Sequence, residues 1–123
     1  MRSESVMFFT DHEEEFVRLL VSLGIQKNIA KVLVYLASAG DVTSRQMERG
    51  GDLRQPEVSL AMRYLSERNW VRSYDAGTTG KGRPIRIYSL ARPIEDIIGD
   101  IEEEKQRELQ HKIELAKQLH NYV

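Results

Sequence analysis

The stretch Asp75 to Pro84, DAGTTGKGRP, places three glycines, a lysine and an arginine within ten residues. Glycine lets backbone come close to an anion, and a cation beside it can neutralise one, so phosphate is the ligand this composition suggests. A nucleotide-cradling loop of the G-x-x-x-x-G-K-[ST] type needs glycine six residues before the lysine, a hydroxyl after it, and a helix to follow. Here Asp75 stands at the first position, Gly82 stands after Lys81, and the next residues, PIRIYSL, read as a strand. All three requirements fail. What remains is the tip of a hairpin carrying Lys81 and Arg83, either to touch a phosphate backbone or merely to keep the loop soluble.

Other chemistry is sparse. The chain has no cysteine, which removes disulfides, thiolate zinc sites and thiol nucleophiles. Its three histidines, His12, His111 and His120, are dispersed. His111 and Glu114 share a helix face but lack the further ligands a metal needs, so surface residues are expected there, with His120 beside them. The acids Glu13–Glu15 and Glu102–Glu104 form runs on helices, which read as solvated faces rather than as an acid–base pair. No catalytic constellation, metal or cofactor is expected.

The net charge of −1 conceals a segregation. Residues 1–43 carry four Lys/Arg against six Asp/Glu, residues 44–92 carry ten against five, and residues 93–123 carry four against eight. A basic centre between acidic ends favours a polyanionic partner whatever the fold. No apolar run approaches the ~20 residues of a membrane span. The N-terminal MRSESVMFFTDHEEE is too acidic for a secretory signal, so a cytoplasmic location without membrane contact is expected.

Periodicity supplies the elements. Asp11 with Glu14 matches a capping box opening a helix whose apolar stripe is Phe16, Val17, Leu19, Leu20 and Leu23, with Gly24 at its end. A second helix is predicted over Gln26–Ala39, with Gly40 stopping it. Thr43 and Gln46 repeat the capping-box spacing and open a short helix to about Arg49, followed by a Gly50-Gly51-Asp52 turn. LRQPEVSLAMRYLSERN then carries Pro56 in a first helical turn, an inward stripe of Val58, Ala61, Met62 and Leu65, and Asn69 as a left-handed stop. The period falls to two in Trp70–Tyr74 and Pro84–Leu90, a hairpin, with Trp70 in the core. Beyond Pro93, Ile94 to about Tyr122 reads as one helix, roughly 43 Å long.

This order, helix–helix–short helix–turn–helix–hairpin–long helix, is mainly α with a small β-hairpin, the plan of a winged helix-turn-helix. The boundaries expected are 1–23 for an N-terminal tail and helix, 24–92 for the winged unit and 93–123 for a C-terminal helix. Gln55-Pro56-x-Val58-Ser59 within LRQPEVSLAMRYLSERNWV resembles the opening of the recognition helix in ArsR-type regulators. LGIQKNIAKVLVYLASAGDVTSRQM and GRPIRIYSLARPIEDII resemble TrmB-like and MarR-like regulators of the same superfamily. Together these cover about residues 23–100. The resemblance implies a transcriptional regulator that lays its recognition helix in the major groove of double-stranded DNA and its wing along the backbone. Carried over by position, Gln55, Ser59 and Arg63 are the implied base or phosphate contacts; Arg45, Arg49, Arg54, Arg63, Lys81 and Arg83 are expected to neutralise phosphates, and Thr43, Ser44, Pro56 and Leu60 complete the expected DNA-binding set. Glu57 and Leu60 depart from the families' usual neutral or basic residues.

An apolar stripe on a helix leaving its domain must be buried somewhere. Ile94, Ile97, Ile98, Ile101, Leu109, Ile113, Ala116 and Leu119 are expected to line a homodimer seam, which would set two recognition helices about 34–36 Å apart. The regulator is expected to be a repressor. Two other readings stand beside it. One is a winged-helix protein–protein module of transcription or chromatin machinery; the other adds a small-molecule effector, for which the sequence offers no site that can be named.

Overall fold

The computed structural model describes residues 9–78 and 84–123. These divide into two compact units, one ending at Arg92 and one spanning Pro93–Val123.

The first unit opens with α1 (Asp11–Ser22). Its capping box sits one residue earlier than the spacing of Asp11 and Glu14 predicts. Thr10 Oγ1 accepts from the Glu13 N–H at 3.1 Å, and the Glu13 carboxylate accepts from the Thr10 N–H at 2.9 Å. Either pair fits the motif, but only Thr10 has the extended backbone a cap requires. Gly24, at φ +99°, ends the helix, and the Ile25 N–H returns to the Leu20 carbonyl.

Helix α2 (Lys27–Ala39) is the centre of the unit. Val32, Leu33, Val34 and Leu36 are essentially without solvent contact, and α1 and α4 pack against it. Burying each such side chain contributes about 1.5–3 kcal/mol. A two-residue strand β1 (Val42–Thr43) follows, then α3 (Ser44–Gly51) and α4 (Gln55–Glu67). The expected Gly50-Gly51 turn is instead the last turn of α3. Only Asp52 leaves the helix, in the left-handed conformation, with the Leu53 N–H bonding the Glu48 carbonyl at 2.9 Å. The need for glycine at 50 comes from packing, since a Cβ there would lie 2.5 Å from Cε1, Cζ and Oη of Tyr35. Leu53 is buried and fills the angle between α3 and α4.

Asn69, at φ +61°, ends α4 as predicted, with the Trp70 N–H returning to the Leu65 carbonyl. Strands β2 (Val71–Thr78) and β3 (Pro84–Leu90) form the hairpin, β2 being longer than the period-two run suggested. Their antiparallel register runs from Val71 opposite Leu90 to Thr78 opposite Pro84, with a shift between Asp75 and Thr78. β1 pairs with the other edge of β3, giving the order β1-β3-β2. Trp70, Val71 and Tyr88 are buried.

The second unit is helix α5 (Ile94–Gln118), ending in a 3-10 turn at Leu119–Tyr122. Ile97 and Ile101 are buried; Ile98, Leu109, Ile113 and Leu119 are exposed. No described helix is long and apolar enough to cross a membrane. The molecule is therefore a winged helix-turn-helix with an added N-terminal helix and a long C-terminal one.

Candidate nucleic-acid interface

Helix α4 has two sharply different faces. Val58, Ala61, Met62 and Leu65 are buried, while Gln55, Pro56, Ser59, Leu60 and Arg63 are exposed. Gln55, Ser59 and Arg63 recur at every fourth residue, so they form a single row along the helix. The row begins with an ordered contact: Gln55 Nε2 donates to Ser59 Oγ at 2.8 Å. Leu60, 63% exposed, lies beside this row with no apolar cover.

Glu57 is not part of the row. Its Oε1 accepts from the Arg54 backbone N–H at 2.8 Å, and its Oε2 lies 3.7 Å from the Arg54 guanidinium. The backbone hydrogen bond first, and the Arg54 charge after it, hold this carboxyl below its ordinary value. The acid that looks adverse on a DNA-reading helix thus caps the start of α4, where negative charge also complements the helix dipole.

Helix α3 carries the second group. The Thr43 hydroxyl accepts from the Gln46 N–H at 3.1 Å, and Gln46 Oε1 accepts from the Thr43 N–H at 2.8 Å. Ser44 Oγ donates to Glu48 at 3.1 Å. Both hydroxyls, foreseen as DNA contacts, are half-buried and engaged in local bonds. Arg45 and Arg49 are exposed. Among the described residues, neither these two nor Arg63 has a carboxylate within 4.0 Å, whereas Arg18, Arg86, Lys105 and Lys117 each pair with a neighbour.

The wing is tied down at its base. Tyr74 Oη donates to Asp41 at 2.8 Å, a contact that raises the phenol's pKa, and Arg86 lies 3.5 Å from Asp75 across the hairpin. Sequence periodicity gives no sign of either contact, because each joins residues far apart in the chain. Lys81 and Arg83 lie outside the described residues. Tyr64, half-buried, carries the Arg68 guanidinium 4.0 Å above its ring. No group of three or more metal-ligating side chains occurs among the described residues.

No family model matches the chain, and no curated protein matches it. Solved structures do. A protein described as a "possible transcriptional regulator" from Methanosarcina mazei Go1 superposes with a TM-score of 0.59 at 17% identity, over 82% of this chain and 86% of that one. NadR, solved in complex with 4-hydroxyphenylacetate, gives 0.54 at 16% identity over 89% and 81%. NMB1585, a MarR family regulator from Neisseria meningitidis, gives 0.50 at 15% identity over 89% and 85%. At these identities the likeness is one of fold: this chain has the winged-helix architecture that MarR-type regulators use.

Proposed function

We propose that this chain is a homodimeric transcriptional regulator, a repressor, that binds double-stranded DNA sequence-specifically in the cytoplasm. The observation that carries the proposal is the exposed row Gln55–Ser59–Arg63 on a helix whose opposite face is buried, with Arg54 exposed at its start and Arg45 and Arg49 exposed on the preceding helix. A glutamine can read adenine through paired hydrogen bonds in the major groove, and Leu60 can pack against a thymine methyl. The arginines supply the sequence-independent phosphate contacts. Lys81 and Arg83 belong to the same proposal as wing contacts.

Dimerisation rests on α5. At 100° per residue, Ile98, Leu109, Ile113 and Ala116 fall within about 60° of one another, and all are exposed. Ile94 is half-buried beside them and Leu119 continues beyond the α-helical part. Ile97 and Ile101, the remaining positions expected on the seam, belong to the same proposal. The bound ligand of NadR supports a small-molecule effector as a further element of the reading, without a site assigned to it.

Fluorescence anisotropy with genomic and scrambled duplexes tests the reading. With about six to ten phosphate contacts per dimer, affinity should fall roughly 10³–10⁵-fold between 50 and 200 mM salt, with a sequence-dependent part surviving. Binding that is absent, or indifferent to salt, sinks it. The exposed Leu60 favours one competitor, a protein-docking module, which predicts no duplex binding at any salt.

A further inference from the structure

A notch of about 310 Å³ opens between α2 and α3, lined by Tyr35, Thr43, Arg45, Gln46, Arg49 and Gly50. Its polar groups are almost all donors. Arg45 and Arg49 stand one helical turn apart and present guanidiniums with no carboxylate within 4.0 Å among the described residues. Gln46 has spent its carbonyl oxygen on the Thr43 N–H, which leaves its NH2 group for an acceptor. Thr43 has its hydroxyl oxygen occupied by the Gln46 N–H. Tyr35 is half-buried, and burial pushes its phenol up in pKa, so it remains a protonated donor. The nearest acid on α3, Glu48, accepts from Ser44.

Gly50 explains why the phenol is there at all. A side chain at that position would meet Cε1, Cζ and Oη of Tyr35 at 2.5 Å, so only glycine lets the phenol lie over the α3 backbone, in a notch that Arg45 and Arg49 also line. Phe9 braces the ring from its edge, centroid to centroid 6.3 Å. No lining side chain is acidic. A notch lined almost wholly by donors, two of them guanidiniums, suits an oxyanion better than a neutral ligand, and on a chain read as binding a duplex the oxyanion at hand is a phosphate.

We propose that Tyr35, Gln46, Arg45 and Arg49 form a phosphate-binding site, filled by a backbone phosphate of the bound duplex. The site rests on the reading of the chain as a DNA-binding regulator, and it adds to that reading a fixed anchor on α2–α3, apart from the base-reading row of α4. A free phosphate would satisfy the same chemistry, and the two sources are separable.

The informative variant is Tyr35→Phe, which removes one donor and keeps the ring against Phe9. Arg49→Ala removes one charge, and Arg107→Ala/Lys117→Ala on α5 controls for total charge. In the duplex arm, Tyr35→Phe should weaken binding roughly tenfold, equally for genomic and scrambled sequences, as expected for a hydrogen bond to a charged group. Arg49→Ala should flatten the salt slope by about 0.9 for each phosphate that is no longer neutralised, and the α5 control should change neither. In the second arm, sodium phosphate is compared with sodium chloride at equal ionic strength. Melting temperature rising with phosphate in the wild type and not in Tyr35→Phe, without any duplex effect, assigns the site to free phosphate. If the wild type binds duplex, yet Tyr35→Phe matches it in affinity and phosphate brings no protection, the site is overturned while the regulator reading stands. If the wild type binds no duplex, the regulator reading falls, and the phosphate arm alone decides the site.

Discussion

Gln55 Nε2 donates to Ser59 Oγ across 2.8 Å, one helical turn apart on the exposed face of α4. The bond fixes the plane of the Gln55 amide before any DNA arrives. Its carbonyl oxygen and second N–H remain free, the pair that adenine N6 and N7 require. Gln55→Ala should therefore lose about 1–3 kcal/mol of discrimination at one base pair, with little change elsewhere in the site. Ser59→Ala should lose less at the same base pair, because the amide survives but must be ordered on binding. Competition binding against a set of single-base duplex variants measures both. Loss of affinity spread evenly over all positions would show that Gln55 does not read a base.

The Glu57 carboxylate predicts an acid dependence of stability. Its bond to the Arg54 N–H holds it below the ordinary carboxyl value of 4.5. A depressed folded-state pKa means that the stabilisation is complete above 4.5 and is lost as pH falls through the lower folded value. Glu13, lowered chiefly by its hydrogen bond with Ser38 and also by Thr10, behaves in the same sense. Glu57→Gln, which can still cap but never ionises, should melt below the wild type at pH 7 and approach it near pH 3. Thermal melts across that range check the sign; a gap that widens in acid contradicts the cap.

Much of this is legible from residue order because it is local. Pro56 marks the first turn of α4, Asn69 its end, and the Thr43–Gln46 spacing the start of α3. Where two local readings compete, residue order does not choose: Thr10–Glu13 and Asp11–Glu14 offer the same spacing, and backbone geometry decides between them. Gly50-Gly51 looks like a turn because glycine usually marks one. The need for glycine there comes from Tyr35, fifteen positions away and on another helix. β1 has two residues, too few to show a period, and it exists only because the edge of β3 is there to pair with. The exposed row of α4 and the Thr43 cap are foreseeable, but the bond from Ser44 to Glu48 is not, since a surface hydroxyl looks equally free in a sequence.

Gly50 and Tyr35 make a thermodynamic cycle. In a helix, replacing glycine by alanine gains about 0.5–1 kcal/mol where there is room. Here the new Cβ would collide with the phenol at 2.5 Å, so Gly50→Ala must push Tyr35 off the α3 backbone and away from Phe9. In the wild-type background the substitution should forfeit that gain or destabilise. In a Tyr35→Ala background it should stabilise by up to about 1 kcal/mol. Chemical denaturation of the four proteins gives the coupling, and equal effects in both backgrounds would show that the close approach does not occur.

The seam on α5 makes a prediction about assembly that separates one face of the helix from another. Leu109, Ile113 and Leu115 are all exposed, at 60%, 39% and 49%. Yet Leu109 and Ile113 lie about 40° apart, while Leu115 projects some 120° away from Leu109. An aspartate in a dimer seam would leave a buried, unpaired charge, which costs several kcal/mol, whereas the same change on a solvated face costs little. Ile113→Asp should therefore sediment as a monomer at micromolar concentration, and Leu115→Asp as a dimer. DNA affinity should follow assembly, because two linked recognition helices bind a palindrome far more tightly than one. A wild-type protein that sediments as a monomer refutes the seam. Equal behaviour of the two aspartate variants refutes this choice of face.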